Sequence, residues 1–234
     1  MKLGKYQIIK YASIYGANAA GKSNLIEVFN FVKYCITNAL PSPAVEMFCK
    51  SKKENKEKES VFEFQFIIDN KFYAYGFSAL LSKRKYNKEW LYELYKNGSS
   101  KTMFEWEYGK KPEVGLNLDS NDSNKLSTYI DDFDENAKTL FLTFMNKDKK
   151  LSQDSNLLFF NDIYSWFIEN LVVCTPHTSI TSFEYYYDSA SLSKINELIN
   201  IFDTGITNVK IEEINMDEFK NELPKPIFED VFND

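Results

Sequence analysis

Apolar and polar positions alternate most cleanly from Val61 to Ile67. Phe62, Phe64 and Phe66 fall on one side, Glu63 and Gln65 on the other. A period of two is that of a half-buried strand. Asp69-Asn70 offers a tight turn, and Lys71 to Leu80 alternates again, which predicts a hairpin. Trp90 to Tyr95 and Thr102 to Tyr108 flank Asn97-Gly98 and predict two more strands. Residues 60–108 therefore read as an antiparallel meander of about four strands. Upstream, Tyr6 to Tyr15 is apolar and β-rich and runs into Gly16, the pattern of a buried strand. Leu25, Ile26, Phe29, Val32 and Ile36 then recur at three- and four-residue steps, predicting a helix that ends before Pro41 and Pro43.

Downstream the pattern is weaker. Pro112 to Ser127 is polar and turn-rich. Asn136 to Asn146 and Asn161 to Glu169 carry helical periodicity, and Leu171 to Thr175 is a short strand candidate. Ser191 to Phe202 is an amphipathic helix with Leu192, Ile195, Leu198, Ile199 and Phe202 on one face, stopped by Thr204-Gly205. Val209 to Ile214 reads as a further strand, and the tail from Met216 is acidic. The central sheet core is expected from Ile8, Ile9, Ile14 and Leu171 to Val173, with the first helix packed on it through Leu25, Ile26 and Phe29.

Composition narrows the classes. Aromatic residues make up 16% of the 234 residues, a share that favours strands. The net charge of -6 argues against a chain built mainly to grip nucleic acid. Lys50 to Glu59 mixes both signs and reads as a solvated loop. Cys35, Cys49 and Cys174 lie far apart, without metal-ligand spacing, and are expected to be reduced thiols. There is no signal-peptide run after Met1 and no apolar stretch of the ~20 residues that a membrane span needs, so a cytoplasmic protein is expected.

The chemistry lies between the first strand and the first helix. Gly16-Ala17-Asn18-Ala19-Ala20-Gly21-Lys22-Ser23 satisfies G-x-x-x-x-G-K-[ST]. Glycines let the backbone turn tightly and approach a phosphate. Successive amides form an anion-binding concavity, and the helix that starts there adds its positive end. Lys22 is expected to reach the β- and γ-phosphates, and Ser23 to present its hydroxyl to Mg2+. Gly16, Ala17, Asn18, Ala19, Ala20, Gly21, Lys22, Ser23 and Asn24 are thus the expected nucleotide site, with ATP and Mg2+ as its ligands. The fold class this predicts is α/β: a P-loop NTPase lobe with an inserted antiparallel meander and a helical region. Residues 1–59 hold the strand, loop, helix and charged linker, residues 60–110 the antiparallel subdomain, and residues 111–234 a mixed remainder that reads as incomplete.

Ile14 to Leu25, IYGANAAGKSNL, resembles the opening of bacterial AAA family ATPases of the OLD-like, abortive-infection kind, within the ABC-type group. Phe62-Glu63-Phe64, Asp69 to Tyr73, Tyr75-Gly76-Phe77, Glu89 to Glu93, Trp166-Phe167 and Asp203 to Glu212 resemble later parts of the same family. The resemblance implies an ABC-ATPase-like lobe that dimerises through the nucleotide site. It also implies control of an attached or partner effector such as a nuclease, in phage defence or DNA transactions. Two departures stand out. Family members carry a further strand upstream. They also continue into a signature segment, a Walker B strand with a catalytic Glu and a switch His. Asp131-Asp132, Asp134-Glu135 and Phe228-Glu229-Asp230 do not fit a Walker B strand, and the sole histidine, His177, follows Pro176 in a Thr/Ser-rich loop. Gln153 and Asn146 are candidates for the family's interlobe glutamine position.

No residue to orient an attacking water is identifiable, so the chain is expected to bind ATP and hydrolyse it slowly or not at all. The alternative is a truncated, non-catalytic interaction protein with a vestigial loop. A small P-loop kinase would need lid arginines, and Arg84 is the only arginine. Phe183 to Tyr187 could stack a base or pack against a partner.

Overall fold

A computed structural model describes residues 11–134, 138–175, 189–202 and 205–210, together with the backbone of residues 2–3 and 6–7; of residues 189–190 it likewise gives the backbone alone. The chain divides into two compact units, Met1–Thr175 and Pro176–Asp234.

In the first unit, β1 (Lys2–Leu3) and β2 (Tyr6–Gln7) pair antiparallel. Helix α1 runs Lys22–Thr37. A five-stranded antiparallel sheet follows, made of β3 (Ser60–Ile68), β4 (Lys71–Leu80), β5 (Lys85–Leu94), β6 (Ser100–Glu107) and β7 (Glu113–Val114), in that spatial order. The predicted meander is thus present. The β3–β4 turn is the expected one, with φ of 48° at Asp69 and 63° at Asn70, the left-handed pair that matches strand twist.

Register explains which face is buried. Phe62, Phe64 and Phe66 stand opposite Phe77, Tyr75 and Tyr73, and Leu91 stands between Tyr75 and Phe104. This face is sealed by the second half of α1, by α3 (Phe141–Asn146) and by α4 (Leu158–Ser165), which runs on into one π-turn, Trp166–Asn170. Trp166 stacks on Phe66 with centroids 4.3 Å apart, and Phe104 meets Phe141 and Phe160 at 5.5 and 5.7 Å. Strand β4 is buried on both faces from Tyr73 to Ala79, more than its alternation predicts. On the outer face its residues are small, and the Trp90 ring lies over Gly76. A Cβ at Gly76 would sit 2.5 Å from that ring and from the Phe62 carbonyl, so only glycine fits.

Helix α2 (Ser120–Asp132) occupies a stretch that reads as turn-rich. The Asp119 carboxylate accepts from the Asp122 amide at 2.8 Å and starts the helix. Asp122 in turn is buried, and its carboxylate accepts from the Ser155 hydroxyl and the Asn156 amide. The expected helix from Asn136 begins at Phe141 among the described residues, while Asn161 to Glu169 is helical as predicted, through α4 and the π-turn.

Three expectations about the central core are corrected. Residues 11–17 form no strand, and Ile14 is 64% exposed, because no strand among the described residues lies beside it to share its backbone hydrogen bonds. Ile8 and Ile9 lie outside the described residues. Leu171 to Val173 is not a strand either. Lys33 Nζ donates to the Ile168 and Leu171 carbonyls, tying this segment to α1, and Val172 is exposed. Leu25 and Ile26 are exposed in part, and α1 packs instead through Val32, Cys35 and Ile36. Phe29 does pack, but against Phe64 of the antiparallel sheet.

The second unit contains α5 (Ser189–Ile201), as predicted. Val209 is not in a strand, because its amide and carbonyl are both bonded to the Asn196 side chain. Residues 211–214, the rest of that expected strand, lie outside the described residues. Among the described residues no helix is long and apolar enough to cross a membrane.

Candidate functional site

The loop that the motif marks turns in a particular way. Ala17 accepts from the Ala20 amide at 3.2 Å, and Ala19 and Gly21 both take left-handed φ, 62° and 85°. Glycine adopts this region without penalty, whereas Ala19 holds it at a cost of roughly 1–2 kcal/mol. Gly21 is the residue before α1, and Leu25 makes the helix's first return bond, to the Gly21 carbonyl. No side chain caps this end, and no acid lies in the first turn. The amides of the first turn therefore point into the loop, and the positive end of the helix faces the same way.

Lys22 folds back over the loop. Its Nζ donates to the carbonyls of Gly16 at 2.7 Å and Ala17 at 2.8 Å, which sets an ammonium beside the concavity. Residues Asn18 to Asn24 line a cavity of about 610 Å3. Ser23 is exposed in the first turn of α1, one residue past Lys22. Seven of the nine residues of the expected site, Asn18 to Asn24, line this cavity, and Gly16 and Ala17 meet it through the Lys22 ammonium.

The other candidates are dispersed. Gln153 is exposed in a turn. The Asn146 side-chain amide donates to the Leu142 and Phe160 carbonyls and so joins α3 to α4, a structural role. Asp131 and Asp132 are exposed at the end of α2. His177, Phe183 to Tyr187 and Phe228 to Asp230 lie outside the described residues. Among the described residues no cluster of three His, Cys, Asp or Glu side chains could hold a metal. The three cysteines are unpaired. Burial pushes the Cys35 thiol up to about 12, whereas Cys49 is exposed and lowered by its bond to Ser51.

One ionisable group escapes the sequence pattern. Glu89 is 1% exposed on the core face of β5. Its carboxylate accepts from the Tyr75 hydroxyl and from the Phe141 and Leu142 amides at the start of α3. Burial raises it to about 7, and the three donors act against that rise. The signal was its position, two residues before Leu91 on the same face of the strand.

Residues 12–109, less than half of the chain, match the family model described as "AAA domain, putative AbiEii toxin, Type IV TA system". The matched segment holds the loop, α1 and strands β3 to β6. It supports a nucleotide-binding module of the P-loop AAA type. Comparison with curated proteins yields no match, and neither does comparison with solved structures.

Proposed function

We propose that Gly16 to Asn24 binds ATP with Mg2+ and that the chain is the nucleotide-binding module of an OLD-like, ABC-type ATPase acting in phage defence or DNA transactions. The observation that carries this reading is the loop itself. Two left-handed residues turn the backbone, an uncapped helix starts at Lys22, and an ammonium rests 2.7 Å from the loop's first carbonyl. Phosphate oxygens would replace the Gly16 and Ala17 carbonyls as acceptors for Lys22, and the first-turn amides would hold the same group. Ser23 would contribute an oxygen to the magnesium coordination shell. Magnesium supplies charge neutralisation on the phosphates when bound.

The natural partner is a second copy meeting this one across the loop, with a nuclease as effector. Ile14, Tyr15, Leu25 and Ile26 are 64%, 90%, 39% and 38% exposed around the loop, apolar surface that such a copy would cover. The alternative is a non-catalytic interaction protein. It is favoured by the cavity lining, Asn18 to Asn24, which contains no acid to orient a water.

Calorimetry with Mg-ATP tests the reading. The wild-type chain is expected to bind, with a rise in melting temperature on saturation. Lys22→Ala is expected to abolish binding and keep the fold, because the side chain bonds only to the loop. Turnover by the wild-type chain is expected below about one per second. Unchanged affinity in the variant would remove the loop as the site.

A further inference from the structure

Beside the loop lies a second depression, and we propose that it takes the base of the nucleotide whose phosphates the loop holds. This rests on the reading of the loop given above. The groove has a volume of about 610 Å3, within the range of small-molecule sites. Its floor is the Phe31–Phe62 ring pair, 5.4 Å apart, with the buried Leu81 beside it. One wall is α1 at Val28, and the other is the Met47-Phe48 segment that follows a short 3-10 turn, Ser42–Glu46.

The groove is continuous with the loop. Asn24 lines both the loop cavity and the groove. Asn24, Val28 and Phe31 lie at i, i+4 and i+7, one stripe of α1 that leads from loop to groove. At 1.5 Å rise per residue, Phe31 stands about 10 Å beyond Asn24. A ligand anchored by its phosphates at the loop can therefore lay its other end in the groove.

The two ends also differ in chemistry. The loop end offers amides and the Lys22 ammonium, which suit anionic oxygens. The groove end is mostly apolar, and its lining also includes Ser60, the Glu27 carboxylate and the Lys50 ammonium, the last paired with Glu46. The Glu27 carboxylate accepts hydrogen bonds from ring N–H or exocyclic amino groups. A nucleotide has the same polarity, with charge at one end and a flat, amine-bearing ring at the other. Met47 is 54% and Val28 39% exposed, so the groove presents uncovered apolar surface. A planar ring lying on it would gain stacking on aromatic faces and thioether–ring contact.

The test compares Mg-ATP with Mg-tripolyphosphate, which has the phosphates and no base. Calorimetry on the wild-type chain is expected to show ATP bound at least tenfold more tightly than tripolyphosphate. Met47→Glu places a charge in the groove at an exposed position, and it is expected to remove most of that tenfold advantage while leaving tripolyphosphate affinity unchanged. Phe48→Ala, which adds no charge, is expected to act in the same direction. Equal affinities for the two ligands in the wild type would overturn the groove and leave the loop standing. So would full ATP affinity in both variants, and the groove would then be a site for an apolar peptide or another surface. If neither ligand binds, the loop reading fails and the groove falls with it.

Discussion

The two halves of α1 meet different surroundings. Val32, Cys35 and Ile36 are fully buried against the sheet, whereas Leu25, Ile26 and Val28, one to three turns earlier, remain 38–39% exposed. The same helical period runs through both halves, so periodicity alone does not say what covers a face. The antiparallel sheet brings its own covers, α3 and α4, which pack on it within the same unit. The segment leading into the Gly16–Ser23 loop has no pairing strand among the described residues, and its apolar side chains stay open. A meander can thus satisfy itself locally, while a strand of a P-loop core depends on neighbours brought from elsewhere in a sheet.

Substitutions in the two regions sharpen that contrast. The largest effect is expected at Phe104, fully buried among Tyr75, Phe141 and Phe160. Phe104→Ala should cost about 3–5 kcal/mol in urea unfolding. A loss below about 1 kcal/mol would mean that the sheet core is looser than its ring contacts indicate.

A smaller, pH-dependent effect is expected at Glu89. Its folded value, about 7, lies above the ordinary 4.5, so the folded state holds a proton that the unfolded state releases first. Its contribution to stability is complete below about 4.5 and disappears as pH rises to about 7. Thermal melts of the wild type should therefore fall relative to Glu89→Gln across this window, by at most a few kcal/mol. Parallel pH profiles would show that this carboxyl does not titrate there.

The smallest effect is expected in the open region. Leu25→Ser should change stability by no more than about 0.5 kcal/mol, as for ordinary surface positions. A loss like that at Phe104 would show that a second copy or another surface already covers this face in solution.

Legibility followed the range of the interactions involved. Phe62, Phe64 and Phe66 announced β3 because alternation is local, and Asp69-Asn70 announced its turn because the left-handed pair is local too. The loop's motif was legible, since it is spelled by eight consecutive residues, Gly16 to Ser23. Helix α2 was hidden by its polarity. Its start depends on Asp119, a cap that could have been read, but the burial of Asp122 depends on Ser155 and Asn156 far along the chain. Glu89 was hidden for the same reason, since its partners sit on α3. The groove combines α1, the turn after it and β3, so no single window of sequence displays it.

Every strand from β3 to β7 hydrogen-bonds to its neighbour in sequence. Sheets joined by such short-range pairings have low contact order and close quickly. On a ribosome the meander would be complete before Phe141, Phe160 and Phe167 had been synthesised. For that interval its aromatic face, from Phe62 to Phe104, would be bare, a window in which nascent chains stick to one another unless a chaperone shields them.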